Sequence, residues 1–262
     1  MPPWKGEKFF ISLDMSLPEA KEKGYEYTPR PDPEGPLPQL KLYCPKEDKS
    51  LCLYYDEETG HIRGLNIAIR KDAVSEPVFD MSSQGWTTWK VTSEDGSTAT
   101  YLCKRQFYCS EEFLKKTPEE RIAMSKENHI LPESAIWVSG FNEDIYRIST
   151  SEDTMLSSNF TKQATIPMMG THYYYRMTPE TECNKMFPWF TLCNGGKVMG
   201  LGLMMFAEVD DVKNGCELFE KPSQAAVQAI VNNGPECLYN IAAKPGVRTY
   251  HIYFTKSPWC IL

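Results

Sequence analysis

Two of the four histidines lie in aromatic segments where they could transfer protons or bind a metal ion. His172 precedes three consecutive tyrosines, and His251 lies between a tyrosine and an isoleucine. Imidazole titrates near neutral pH and is a common metal ligand, so two rings beside a carboxylate such as Asp210 or Glu220 predict an acid–base or metal site. The alternative is that both are hydrogen-bonded strand histidines with no chemical role. No specific cofactor is indicated.

A third candidate for chemistry is Cys193, which ends the apolar segment 190–193. A thiol beside His172 or His251 would be a nucleophile of the kind found in cysteine hydrolases. Its apolar surroundings favour the competing interpretation, a buried thiol or half of a disulfide.

Aromatic and methionine side chains are concentrated between residues 168 and 206, within a chain that contains 12 methionines. Such side chains either fill an irregular core or line an adaptable apolar pocket. If they line a pocket, the two histidines face it, and the ligand is a small apolar or aromatic molecule. The candidate ligand-binding residues are His172, Tyr173, Tyr175, Trp189, Met199, Phe206, His251 and Tyr253.

Composition excludes several classes of function. The net charge is −7 and no cluster of lysine and arginine is present, which argues against nucleic-acid binding. No apolar run reaches the roughly 18–20 residues that span a bilayer, so membrane insertion is not expected. The sequence contains no phosphate-binding loop, dinucleotide fingerprint, nucleophile elbow or zinc-protease motif.

Two internal copies of one module predict how these residues are positioned. Residues 60–67 (GHIRGLNI) match 196–203 (GKVMGLGL), and residues 78–84 (VFDMSSQ) match 218–224 (LFEKPSQ). A third match aligns 100–109 with 251–260, so that Thr100 corresponds to His251. Self-similarity of this length predicts one supersecondary unit used twice.

Each copy is predicted to consist of a β-hairpin, a helix and a strand. In the first copy, strands at 51–55 and 61–69 form the hairpin, 85–91 is the helix and 99–103 the strand; in the second, 223–231 is helical and 248–254 is a strand. One face of each central strand is apolar, and the opposite face carries the small residues Gly64, Asn66, Gly200 and Gly202. A further helix is expected over 110–128.

The predicted fold class is therefore α+β, a tandem duplication packed as one pseudo-twofold body and stabilised by disulfides. We expect a first module at 1–110, a connecting helix and irregular segment at 111–165, and a second module at 166–262.

Nine cysteines without metal-binding spacing predict disulfides and an extracellular protein, with a cytoplasmic protein carrying free thiols as the alternative. Matching positions in the two copies suggest the pairs Cys44–Cys109 and Cys183–Cys260, with Cys216–Cys237 and Cys52–Cys103 as the remainder and Cys193 free. Asn159 begins an N-glycosylation sequon.

The sequence thus predicts a secreted protein that binds a small apolar or aromatic molecule, in the second module or between the modules. The first alternative is an enzyme that uses the same pocket, with His172 and His251 as acid–base groups or metal ligands. The second is an extracellular interaction or structural protein.

Overall fold

The chain folds into antiparallel β-sheets with short helices, as described by a computed structural model for residues 12–13, 16–93, 95–211 and 219–254. The predicted α+β class is confirmed. The helices are α1 (Leu17–Glu22), α2 (Glu111–Leu114), α3 (Pro118–Met124), α4 (Glu152–Ser157), α5 (Gln224–Ile230) and α6 (Glu236–Ala243). The strands are β1 (Tyr25–Thr28), β2 (Lys41–Pro45), β3 (Leu51–Asp56), β4 (His61–Arg70), β5 (Val74–Ser75), β6 (Thr87–Thr92), β7 (Thr98–Phe107), β8 (Ala135–Ser139), β9 (Ile145–Ser149), β10 (Phe160–Ile166), β11 (Gly170–Tyr175), β12 (Trp189–Asn194), β13 (Lys197–Phe206), β14 (Glu208–Val209) and β15 (Val247–Tyr253).

The strands form two large sheets and one short ribbon. The first sheet has eight strands in the order β1-β2-β3-β4-β7-β8-β9, and β6 also pairs with β7. The second sheet has the order β10-β11-β12-β13-β15, and β5 pairs with β14 in the ribbon. Strands β8 and β9 therefore extend the first sheet, although they lie within the segment 111–165 that we expected to be a connection.

The two sheets share an arrangement of five strands, β1-β2-β3-β4-β7 in one and β10-β11-β12-β13-β15 in the other. The register of the central hairpin is interrupted between Tyr54 and Tyr55 in the first sheet and between Leu192 and Cys193 in the second. Each set is preceded by a six-residue helix, α1 or α4. The first residue of each helix donates a backbone hydrogen bond to the glycine that precedes the fourth strand: Leu17 N to Gly60 O at 2.9 Å, and Glu152 N to Gly196 O at 3.0 Å.

The register corrects the third predicted match. Gly64 lies opposite Phe107, and Gly200 lies opposite Tyr253. Counting back along each strand, the partner of Asn66 is Arg105 and the partner of Gly202 is His251. Arg105, and not Thr100, therefore lies at the position equivalent to that of His251. Cys260, which the third match aligns with Cys109, lies outside the described residues.

One apolar core takes side chains from both sheets. Leu65, Ile67 and Ile69 of β4 join Leu201 and Leu203 of β13 in the same buried cluster, as their alternation in the sequence predicted. Beside this core, the β5–β14 ribbon connects the two halves: Val74 lies opposite Val209, and Asp210 N donates to Ala73 O at 2.8 Å. Each sheet therefore buries one face against the other half of the chain.

The opposite faces are covered by different elements. Over the second sheet, α5 and α6 pack Val227, Leu238 and Ile241 against the strands. Over the first sheet, Leu37 and Leu40 of the segment between β1 and β2 and Phe113 of α2 complete a separate cluster. We call the surface of the first sheet under Leu37, Leu40 and Phe113 the first outward face, and the surface of the second sheet under α5 and α6 the second outward face.

The predicted helix at 85–91 is wrong, because this segment contains β6. Its threonine, tryptophan and valine residues favour strands, and burial alternates along it, with Thr87 and Trp89 buried and Thr88 exposed. The helix predicted at 223–231 is confirmed as α5, whose cap Ser223 accepts a hydrogen bond from Ala226 N. The segments that follow the two matching Ser-Gln pairs therefore have different secondary structures, a strand in one and a helix in the other.

The helix predicted over 110–128 is divided in two. Ser110 caps α2, which ends at Leu114, and Thr117 caps α3 in a capping box with Glu120. Pro118 disfavours a helical conformation for the residue before it, so the chain begins a new helix there.

The disulfides differ from the predicted pairs. Cys44 bonds to Cys52 on the neighbouring strand, and Cys183 bonds to Cys237 of α6. Cys103, Cys109 and Cys193 are buried free thiols, so the pairs Cys44–Cys109 and Cys52–Cys103 do not form. The predicted pairs Cys183–Cys260 and Cys216–Cys237 are excluded because Cys183 and Cys237 are bonded to each other. Cys216 and Cys260 lie outside the described residues.

Among the described residues, no helix has the length and apolar character needed to cross a bilayer.

Candidate functional site

The second outward face brings the two histidines of the sequence analysis together around one phenylalanine. His172 lies on β11 and His251 on β15, and Phe190 of β12 lies between them, with ring centroids 5.7 Å from His172 and 5.5 Å from His251. Gly202 makes this packing possible, because a Cβ there would overlap the ring of Phe190. The small-residue face noticed in the sequence is thus occupied by a side chain of the neighbouring strand.

His172 is held as a neutral ring inside the protein. Its side chain is 1% exposed, and its polar neighbours are backbone groups of Ala164 and Gly170. Burial, with a smaller contribution from His251, lowers the pKa of His172 to about 3, while backbone groups of Ala164 and Gly170 oppose the shift. A substrate in solution cannot reach this imidazole.

His251 lies nearer the surface and has an acidic neighbour. Its Nδ1 is 3.5 Å from Oε2 of Glu220, and its side chain is 12% exposed. Burial lowers the pKa of His251 to about 4 and raises the pKa of Glu220. Tyr253 stacks on His251 at 6.4 Å, and burial raises its pKa too. His251 and Glu220 thus form a pair of a neutral imidazole and a half-exposed carboxyl group that can exchange a proton.

The candidate ligand-binding residues do not surround one space. Because side chains alternate across a strand, Tyr173, Tyr175 and Trp189 point into the core between the sheets, away from the histidines. Trp189 is fully buried there, and its indole N–H donates to Ser139 O at 2.8 Å. Phe206 and Met199 pack with the cluster of the second outward face. The predicted set is therefore divided between the two faces of the second sheet.

Cys193 faces the core between the sheets, on the side opposite to His172 and His251. Burial raises the pKa of its thiol to about 12, so the thiolate is not accessible at neutral pH. The thiol therefore lies apart from both histidines, one of which the hypothesis of a cysteine nucleophile requires beside it. Within the described ranges, no group of three or more histidine, cysteine, aspartate or glutamate side chains is arranged to hold a metal ion.

A small crevice, partly open to solvent and with room for about one water molecule (about 10 Å³), lies where the two halves of the chain meet. One wall comes from the segment between β5 and β6, and the other from the end of β13. Glutamine is the one polar side chain among the residues that line it, which are Phe79, Met81, Gln84, Trp86, Met204, Met205 and Phe206.

The polar group of this crevice is incompletely paired. Gln84 Nε2 donates to Asn184 O at 3.3 Å, whereas Gln84 Oε1 is buried and has no hydrogen-bond partner among the described residues. Buried amide oxygens are ordinarily paired, because an unpaired one costs about 1–3 kcal/mol. Gln84 is therefore a place where an added hydrogen-bond donor would be favoured.

Lys104 lies behind the crevice and supports its wall. Its ammonium or amine group donates to Gln84 O and to Ser139 O, the latter at 2.9 Å, and lies 5.8 Å from the centre of the Trp86 ring. No described carboxylate forms an ion pair with Lys104, and burial lowers its pKa well below the usual value. The side chain therefore connects three segments of the chain through carbonyl groups.

Sequence reasoning missed Gln84, Trp86 and Lys104. The one feature of the sequence that pointed to Gln84 is the match between 78–84 and 218–224, which we used to predict the fold and not a binding site. Phe206 is common to the predicted set and to the crevice.

Comparison with known proteins identifies no relative: no family model, no curated protein and no solved structure matches the chain.

Proposed function

We propose that the protein is a secreted binding protein for a small, mainly apolar or aromatic molecule, and that the ligand binds in the crevice between the two halves. The observation that carries this proposal is the lining itself: six of the seven side chains are aromatic or methionine, and the remaining one, Gln84, has an unpaired buried oxygen. Apolar walls with a few polar groups are typical of ligand sites.

The crevice favours a small ligand that adapts the site as it binds. Its volume of about 10 Å³ is far below the roughly 300–1,000 Å³ typical of pockets for drug-sized molecules, so side chains must move before a ligand can enter. Methionine side chains are flexible and polarisable, so Met81 and Met204 can change rotamer to admit an aromatic ring. We expect the ligand to carry one hydrogen-bond donor for Gln84 Oε1, such as a hydroxyl or an amine.

We also propose that the two halves arose by tandem duplication and are related by a pseudo-twofold axis. The common strand order, the interruption at the same point of each hairpin and the paired Leu17–Gly60 and Glu152–Gly196 hydrogen bonds support this origin. On this proposal the crevice lies at the junction of the copies, and each copy provides one of its walls.

Two disulfides support an extracellular location, because such bonds persist in oxidising compartments. The catalytic alternative has less support. His172 is inaccessible, and Cys193 lies on the other face, so the pair of His251 and Glu220 would have to act without either.

The test is fluorescence titration with N-phenyl-1-naphthylamine, an apolar reporter whose emission rises in apolar sites. We expect saturable binding that Met81→Trp weakens at least tenfold, because the larger ring fills the crevice from its partly exposed rim. Met124→Trp is the matched control, because Met124 is an exposed methionine on α3.

Equal binding by the wild type, Met81→Trp and Met124→Trp would reject the crevice as the site. Absence of any binding, together with a native mass spectrum of the bare polypeptide from its natural source, would favour the interaction-protein alternative.

A further inference from the structure

Asn159 occupies an exposed turn between α4 and β10. It is the residue after Ser157 and Ser158, both exposed, and its backbone is in the left-handed region with φ of 69°. Asparagine tolerates this conformation better than most residues do. The carbonyl of Asn159 accepts a hydrogen bond from Arg176 N at 2.8 Å, so the turn is fixed while the side chain remains at the surface.

We infer that Asn159 carries an N-linked glycan, attached to the acceptor sequence Asn159-Phe160-Thr161. This inference rests on the secreted location in the proposed function. In the reaction, a bond forms between the Asn159 amide nitrogen and C1 of the first sugar of a lipid-linked diphosphate oligosaccharide. The bond from C1 to the diphosphate oxygen breaks, the lipid diphosphate leaves, and the amide gives up one proton.

The folded chain accommodates the product but conceals part of the acceptor sequence. Thr161 Oγ1 is hydrogen-bonded at 2.7 Å to Met177 O, and Thr161 pairs with Tyr174 across the strands. Phe160 is buried, with its ring 5.6 Å from that of Tyr175. A glycosylating enzyme that binds the threonine hydroxyl needs this segment extended and free, so attachment must precede the pairing of β10 with β11.

The glycan would also protect an edge. Strand β10 is the outermost strand of the second sheet, and an exposed edge can pair with another chain. A branched, hydrated group at the residue before this strand hinders such pairing. The corresponding turn before the edge strand β1 contains Gly24, with φ of 83°, and has no acceptor side chain.

The experiment is expression of the full chain behind a secretion leader in insect cells, followed by intact mass measurement before and after peptide-N-glycosidase treatment. We expect most secreted wild-type chains to lose mass on treatment, with Asn159 converted to Asp in the peptide spectrum. Asn159→Gly should remove the modification and keep the turn, and Thr161→Ser should retain it.

An engineered acceptor provides the matched control. Gly24→Asn with Glu26→Thr, made in the Asn159→Gly background, creates the same motif at the corresponding turn, where a Cβ would meet no atom within 4 Å. If this site is glycosylated while wild-type Asn159 stays unmodified, the inference is overturned. Neither result bears on binding of the fluorescent probe, so the two proposals fail separately.

Discussion

The two outward faces have the same strand arrangement, but one buries a charged side chain at a position where the other buries a neutral one. Arg105 of the first sheet and His251 of the second occupy corresponding places, opposite Asn66 and Gly202. Arg105 is 1% exposed and its Nη2 lies 3.0 Å from Oε2 of Glu143. His251 is a neutral imidazole in an aromatic stack.

The covering elements account for this difference. Over the first sheet, Asp32 and Glu143 supply carboxylates 3.7 and 3.0 Å from the guanidinium, so a charge can be kept inside. Over the second sheet, α5 and α6 supply mainly apolar side chains, so a histidine there loses its proton. The strand register determines where a side chain lies, and the elements packed over the sheet determine which chemical groups are stable there.

The largest expected difference between the two halves concerns their disulfides. The Cys183–Cys237 bond closes a 54-residue separation, and the Cys44–Cys52 bond closes a separation of 8. In the chain-entropy estimate, cross-links of these lengths stabilise by about 4 and about 2.5 kcal/mol, respectively. We therefore expect Cys183→Ser/Cys237→Ser to lower the free energy of unfolding more than Cys44→Ser/Cys52→Ser does.

Guanidinium unfolding of the two double variants checks this order. A larger loss from the Cys44–Cys52 pair would show that local packing in the first sheet, and not loop closure, dominates.

The second difference is acid sensitivity, which we expect to reside in the second outward face. The pKa of His172 is about 3 in the folded protein and near 6.5 when unfolded, so the unfolded state binds the proton more tightly. Stability is therefore complete above pH 6.5 and decreases as the pH falls toward 3. From neutral pH to pH 4, this group alone costs about 3 kcal/mol.

Replacing His172 by leucine, the residue at the corresponding position 42 of the first sheet, should remove this part of the pH dependence. Thermal unfolding between pH 4 and 7 measures it, with exposed His129→Gln as the control. A parallel pH dependence in the wild type and His172→Leu would contradict the buried neutral ring.

The smallest expected effect compares the residues opposite Arg105 and His251. Gly202→Ala forces a methyl group into the ring of Phe190 and should cost about 2 kcal/mol by overpacking. Asn66→Ala should cost less than about 1 kcal/mol, because the polar neighbour of its buried amide is the Cys103 thiol, a weak hydrogen-bonding group. Urea unfolding measures the free energy of unfolding of both variants. Equal losses would contradict the expected difference between the two outward faces.

The sequence predicted those features that depend on local pattern. Alternation along β4 and β13 identified the buried faces, and the caps Thr117 and Ser223 identified two helix starts. The segment after Gln84 is a strand and not the predicted helix, because the strand preference of its threonines and tryptophans outweighs its likeness to 223–231. The disulfide partners could not be predicted, because spacing does not determine which sulfurs meet.

The candidate site was the least predictable part. The crevice combines side chains more than a hundred positions apart, from Phe79 to Phe206. Lys104 resembles any strand lysine in the sequence, and only the fold shows that carbonyls of Gln84 and Ser139 surround it. His172 and His251 lie on one face on either side of Phe190, although β12 and β13 separate their strands, which the sequence analysis did not predict.

The shared core and the β5–β14 ribbon have a consequence for biosynthesis. The last strand of the first sheet ends at Ser149, and the second sheet is complete about a hundred residues later. At roughly 5–20 residues per second, the leading half waits about 5–20 s on the ribosome with an uncovered apolar surface. We expect chaperones to cover this surface during that interval, and the trailing half to replace them when it folds.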